Sequence, residues 1–364
     1  MSSVALVYLA REPQCSCVST QIAVVQLILC NLQLVIKFVK LKRYVQFSVV
    51  RKKKMSHARN ILIGLLPVVC LLQFDVIADV VTPCPTICEC WKSNQSAYIV
   101  LRIDCHNRPR IDPQQLYKQI DSLLISYVNS SLAALTIRNS PLLALPRSVC
   151  RLTTLEFLDI SDNRLDHLPS NCFYYFDRLT TLYARYNDIT YISISSDFSR
   201  GMRQLMYLDL SNNKIQNDLT FQTFSGMGQL YSLHLSHNKI AALSDSAFYG
   251  MRRLNTIDIS DNNIADVSNG VFRGMVELNK LYLSNNEIED LADGVFDSMG
   301  KLNILDLSGN RIASIGREAF SKTSNVTIDH LYLDDNQLTT LAPWWYGVNV
   351  AMKRMSIGKN PWNC

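Results

Sequence analysis

The stretch LNKLYLSNNEIEDLADGVF, residues 278–296, decides the fold. Leu278, Leu281, Leu283, Asn286, Ile288, Leu291 and Phe296 stand at positions 1, 4, 6, 9, 11, 14 and 19 of a unit that begins again at Leu302. Outward from it, the same frame starts units at Leu132, Leu155, Leu179, Leu205, Leu230, Leu254, Leu278, Leu302, Ile328 and Met352. The alternation around positions 3 to 7 predicts a strand, with apolar side chains turned into a core shared with the neighbouring units. One such unit cannot bury its apolar face alone, and ten stacked units can. The chain is therefore a solenoid over most of its length, and its function lies on a surface rather than in a pocket.

Nine asparagines mark the period: Asn163, Asn187, Asn213, Asn238, Asn262, Asn286, Asn310, Asn336 and Asn360, at steps of 24 to 26 residues. Each falls where the chain leaves its strand. Its amide can pair there with loop backbone groups that burial would otherwise leave unsatisfied. The first unit departs from the pattern, with Ser140 in the asparagine slot. A phenylalanine spine, Phe173, Phe198, Phe224, Phe248, Phe272, Phe296 and Phe320, is expected to fill the wider layer on the far side of the coil.

Cys84, Cys88, Cys90 and Cys105 stand just before the repeats as C-P-x-x-C-x-C, a gap, and a last C. Two disulfides could hold a cap there over the first apolar layer. Zinc is the alternative, against which the spacing weighs, because it departs from the paired C-x2-C arrangement of common zinc sites. Cys150 and Cys172 occupy positions 19 and 18 of consecutive repeats. That brings them close enough for a bond, and two buried thiols would fit the same slots.

The 24-residue repeat with Phe at position 19, the N-terminal cysteine cluster, and the closing Asn360-Pro361-Trp362-Asn363-Cys364 resemble the typical extracellular leucine-rich-repeat subfamily, the Slit, Toll, connectin and chaoptin type of adhesion or matrix protein. The resemblance spans about Cys84 to Cys364. It implies an α/β but β-rich, right-handed leucine-rich-repeat horseshoe with a concave parallel β-sheet and a cysteine-rich N-terminal cap. It also implies Cys84 paired with Cys90 and Cys88 with Cys105. The N-P-W-x-C string opens that family's C-terminal cap, whose remaining cysteines are absent here. Cys364 is thus left without its partner, and the sequence reads as a fragment.

Upstream, Met55 precedes His57, Arg59 and an apolar run from Ile61 to Leu72, with a small residue at Ala78. This is the layout of a secretory signal over residues 55–78, too short in its apolar part to span a membrane comfortably. Residues 1–54 read as a leader or gene-model extension, 79–131 as cap and lead-in, 132–359 as repeats and 360–364 as the start of the second cap. The whole chain has a net charge of +5, but from residue 79 onward 26 Lys and Arg face 29 Asp and Glu, a net of −3. That balance argues against nucleic acid as a partner. Sequons at Asn94, Asn129 and Asn325 agree with a secreted or cell-surface location.

Positions 3, 5, 7 and 8 are expected to project from the concave face. Position 5 reads Thr136, Asp159, Tyr183, Asp209, His234, Asp258, Tyr282, Asp306, Tyr332 and Ser356. Aromatic rings with polar tips are common anchors of protein interfaces, and carboxylates tune which partner is admitted. The candidate ligand-binding residues are Tyr183, Tyr207, Asp209, His234, Asp258, Tyr282, Asp306, Tyr332 and Asp334. Their acidity favours an extracellular protein partner with a basic patch. The bland reading is that Asp at position 5 is a routine filler of the strand, as in the Leu-Asp-Leu-Ser of residues 208–211 and 305–308.

No phosphate-binding loop, nucleophile elbow or H-E-x-x-H occurs, so neither catalysis nor a cofactor is expected. His234 between Asp209 and Asp258, and His237 between Asn212 and Asp261, could hold a metal, but an open sheet lacks a water-excluding pocket and no metal site is assigned. The expected function is an extracellular protein-binding module for adhesion, reception or ligand recognition. A membrane anchor would come from sequence beyond Cys364. The alternatives are a secreted matrix protein, or the recognition arm of a multidomain enzyme of the peroxidasin kind.

Overall fold

A computed structural model describes residues 79–80, 84–85, 88–95, 98–105, 112–192, 201–316, 319–320, 327–340 and 352–363. The signal and leader segments, Phe198, Asn325 and Cys364 lie outside the described residues.

The leucine frame produces one strand per repeat. From the first repeat to the last these are β4 (Leu132–Arg138), β5 (Phe157–Asp159), β6 (Thr181–Tyr183), β7 (Tyr207–Asp209), β8 (Ser232–His234), β9 (Thr256–Asp258), β10 (Lys280–Tyr282), β12 (Lys301–Asp306), β14 (Thr327–Tyr332) and β15 (Arg354–Ser356). All pair in parallel with their neighbours. Most strands are three residues long, positions 3 to 5, rather than running to position 7. The register joins Thr136, Asp159, Tyr183, Asp209, His234, Asp258, Tyr282, Asp306, Tyr332 and Ser356 into one row, as the frame requires.

The sheet is wider than ten strands. β1 (Asp79–Val80), β2 (Cys88–Gln95) and β3 (Tyr98–Cys105) pair antiparallel with one another, and β3 then pairs in parallel with β4. Thirteen strands form this sheet. The cap is thus not only a lid, because its second hairpin strand belongs to the sheet and sets Arg102 beside Thr136 in the row. A lateral pair, β11 (Asp290–Leu291) with β13 (Ser314–Ile315), forms a second, two-stranded sheet.

Helix α1 (Pro113–Ile125) closes the cap. Asp112 caps it by accepting from the Gln114 amide, and Pro113 at the first turn has no amide hydrogen to leave unpaired. Its Leu116, Ile120, Leu123 and Leu124 are buried against the first coils. Cys84 is bonded to Cys90 and Cys88 to Cys105, so two disulfides hold the described cap. Cys150 is bonded to Cys172, which ties the far sides of the first two repeats together, beside the short helix α2 (Ser170–Phe173).

Inside, the position 4 residues from Leu135 to Leu331 are sealed from water. The phenylalanine spine is a stack: Phe224, Phe248, Phe272, Phe296 and Phe320 follow at 6.0, 6.1, 6.4 and 5.4 Å, with rings within 22° of parallel. Phe173 instead meets Phe176 edge to face.

The asparagines form a second ladder. Asn262 is typical: its Nδ2 donates to the carbonyls of Leu235, Ile259 and Ser260, and its Oδ1 accepts from the Ile240 amide. Each such amide reaches back to the repeat before, so carbonyls such as Ile259 O receive from two asparagines, Asn262 and Asn286. The turn that makes this possible requires a left-handed residue at position 8. All ten position-8 residues have positive φ: Asn139, Asp162, Tyr186, Asn212, His237, Asp261, Asn285, Gly309, Asp335 and Lys359. Most are Asn, Asp or Gly, the types that adopt this conformation at least cost.

Candidate functional site

The face of the sheet is built by positions 3, 5 and 7, and position 7 is mixed, with Arg138, Arg185, Ser284 and Ser308 half-buried. Ser161, Ser211, Ser236 and Ser260 are buried there. Two of their hydroxyls serve the carboxylate two residues earlier. Asp209 Oδ1 accepts from the amide and hydroxyl of Ser211 at 3.0 and 2.6 Å. Asp258 holds Ser260 and Asp306 holds Ser308 in the same way. Asp159 accepts from the Ser161 amide. The Asp-Leu-Ser unit therefore locks the strand exit, and one oxygen of each of these carboxylates is committed to the fold. Asp334, itself at position 7, does the equivalent for the next coil, accepting from the Ser356 hydroxyl and the Gly358 amide.

The second oxygen of Asp258 faces a neighbouring strand. Asp258 Oδ2 lies 3.8 Å from Nδ1 of His234, whose Nε2 is 2.8 Å from the Ser232 hydroxyl. Burial pushes the Asp258 carboxyl up, but the attraction of His234 and the two bonds from Ser260 outweigh it, and the net shift is downward. His237 Nε2 stands 3.6 Å from Asp261. Among the described residues no group of three or more His, Cys, Asp or Glu side chains is arranged to hold a metal.

The tyrosines alternate with these acids. Burial raises the Tyr183 phenol, and Asp209 and Asp159 raise it further against a lowering by Arg185. Burial also raises Tyr282, again helped by Asp258 and Asp306, and raises Tyr207 beside Tyr231. The three hydroxyls therefore stay protonated donors at any physiological pH. Phe157 meets Tyr183 edge to face at 5.6 Å, and Tyr207 meets Tyr231 at 6.0 Å. Toward the far end Arg354 lies over the Tyr332 ring at 5.7 Å. The structure thus brings Tyr183, Asp209, His234, Asp258, Tyr282, Asp306 and Tyr332 into one row, with Tyr207 beside it, and moves Asp334 into a structural turn.

Two residues without a place among the sequence candidates belong to the same face. Arg138 at position 7 binds Asp162 at 2.6 Å and lies 3.7 Å from Asp159. Arg185 at position 7 of the third repeat has a buried Nε with no hydrogen-bond partner. The signal is present in the sequence, since six of the ten residues at that position are serine and these two are its only cations. Of the sequons, Asn129 is exposed in the turn after α1, and Asn94 lies in β2. No helix of the described residues is long and apolar enough to cross a membrane.

Known proteins share this architecture. Toll-like receptor 9 of Sus scrofa is 30% identical over 143 residues, 35% of this chain and 13% of the receptor. Fibromodulin of Sus scrofa is 34% identical over 105 residues, 28% of this chain and 60% of fibromodulin. The chain thus spans less than two thirds of either relative. Among solved structures, the TLR13–ssRNA13 complex superposes with a TM-score of 0.56 at 24% identity, covering 67% of this chain and 34% of the other. A chain of the octameric complex of Latrophilin 3, Unc5D and FLRT2 (LRR) superposes at 0.58 and 18% identity, covering 77% and 86%. Both likenesses show the fold. The leucine rich repeat profile matches residues 130–189, 192–240, 228–288 and 276–338, more than half of the sequence, and the chain belongs to the leucine-rich-repeat family.

Proposed function

We propose that this chain is an extracellular protein-recognition module, the ectodomain of a receptor or adhesion protein, that binds a protein partner on its concave sheet between the fourth and ninth repeats. The observation that supports this most is the position 5 row, in which Asp209, Asp258 and Asp306 alternate with His234, Tyr282 and Tyr332. Rings with protonated hydroxyls supply area and donors, and the uncommitted carboxylate oxygens favour a partner with a basic patch. The rings have no core role, since the leucines and phenylalanines fill the interior. The disulfides and the sequons at Asn94, Asn129 and Asn325 agree with the secretory pathway. A secreted matrix protein using the same face is the second reading, favoured by the match to fibromodulin.

The test uses a partner recovered from a display screen of extracellular proteins. Tyr282→Ala with Tyr332→Ala should weaken its binding by about 2 kcal/mol or more and leave the melting temperature unchanged. Tyr249→Ala with Arg273→Ala, exposed on the far side of the coil, should bind as the parent does. Loss of binding in the second pair alone refutes the concave assignment.

A further inference from the structure

We propose that the partner presents a carboxylate that seats on Arg185, so that the third repeat is an acid-accepting anchor beside the carboxylate-lined centre. This rests on the concave reading above and adds to it a polarity along the sheet.

The third repeat breaks the strand-exit device at both of its positions. Six repeats carry Ser at position 7, and in three of them that hydroxyl is bonded to an Asp at position 5. Here position 5 is Tyr183 and position 7 is Arg185. Arg138, the other arginine in this column, has its charge met by Asp162 and Asp159. Among the described residues Arg185 forms no ion pair, and its buried Nε donates to nothing. The carboxylates around it make their bonds to other groups, Asp209 through one oxygen to Ser211, Asp159 to Ser161 and Arg138, and Asp188 to Lys214 at 2.6 Å, and among the described residues none is within ion-pair distance of Arg185. Nε is closed to solvent, so a partner reaches the half-buried side chain at its terminal nitrogens, and that planar pair matches a carboxylate with two parallel bonds.

The surroundings suit such an anchor. Tyr183 stands two residues before Arg185, packs edge to face on Phe157, and its phenol feels the Arg185 charge. An aromatic ring beside a charge excludes water and strengthens the pair it forms. Tyr186, next in the chain, is 54% exposed and held at φ 54°, where the other position-8 residues are Asn, Asp, Gly, His or Lys. Asp258 lies three strands from Arg185 and Asp306 five, so at the usual strand spacing the partner's basic groups follow its carboxylate by about 14 and 24 Å.

The experiment selects phage-displayed random dodecapeptides on the secreted protein, then measures the affinities of the enriched peptides by fluorescence anisotropy. The expected peptides carry an Asp or Glu for Arg185, with Lys or Arg further along the peptide for the carboxylate row. They should lose at least tenfold in affinity on Arg185→Ala, lose less on Arg185→Lys, which keeps the charge without the fork, and be unaffected by Arg273→Ala. Thermal melts check that each variant is folded, and if Arg185→Ala is not, Arg185→Gln takes its place with the same expected loss. Basic peptides that weaken with Asp258→Asn and ignore Arg185 would overturn this inference and leave the concave reading standing. Peptides lost only with Arg273→Ala would overturn both. An absence of acidic enrichment would also overturn the Arg185 assignment.

Discussion

Replacing Asn262 by Ala cuts the ladder at the middle of the solenoid. The side chain is 7% exposed and makes four bonds: three from Nδ2 to Leu235, Ile259 and Ser260, and one accepted from the Ile240 amide. They are not equal in consequence. Leu235 O keeps a bond from Asn238, and Ile259 O keeps one from Asn286. The Ile240 amide has no other partner among the described residues and becomes a buried donor with nothing to bind. One orphaned donor costs about 1–3 kcal/mol, and the thinned carbonyl contacts add a smaller amount, so a loss of roughly 2–3 kcal/mol is expected. Asn262→Asp should be worse than Ala, because it sets a carboxylate against three carbonyl oxygens. The neighbouring Asn263 is exposed and its side chain bonds to Glu287 at the surface, so Asn263→Ala should stay within about 0.5 kcal/mol of the parent. Urea melts followed by far-ultraviolet circular dichroism give the three midpoints. Equal midpoints for the Asn262 and Asn263 variants would refute both the repeat frame and the unequal sharing of the bonds.

Tyr186→Asn keeps the turn amide on Ser211 O and removes a bulky residue from a left-handed conformation. It should raise stability by about 1 kcal/mol, and a lower urea midpoint would mean that the ring packs rather than strains. Asp258 has its carboxyl held below the ordinary range, so its contribution is present above the unfolded-state pKa and is lost as the pH falls through the folded one. Between about pH 5 and pH 3 the parent should therefore lose more stability than Asp258→Asn, and parallel losses in melts at the two values would refute this.

The solenoid is legible in the sequence because its physics repeats. Leu281, Asn286 and Phe296 each recur at fixed steps, and a role inferred once holds in every coil. Position 8 carries a signal too, its excess of Asn, Asp and Gly, which the expectation of a concave-face residue passes over and which the backbone explains by a left-handed turn. Asp209 is harder, because alternation tells which face a residue points to and not whether its oxygens are already taken. The clue lies in Ser211, whose hydroxyl sits two residues on. The pairing of β3 with β4 has no periodic signal, since Tyr98–Cys105 lies outside the repeat. Arg185 can be found only as an exception, and an exception gains meaning once the rule it breaks has a known bond behind it.

The antiparallel hairpin at the N-terminal end of the sheet bears on self-association. A row of parallel strands left open would offer a second molecule a template of unpaired amides and carbonyls in the register used by its own coils. Here the outward side of the first coil is already taken by β3, and among the described residues the two-residue β1 (Asp79–Val80) follows beyond β2. β1 covers β2 only at Trp91 and Lys92, but β2 runs against the coils, so the edge at this end is not a row in their own parallel register. At this end the hairpin works as a terminator of sheet growth, and so helps to keep a thirteen-stranded sheet from serving as the seed of a fibre.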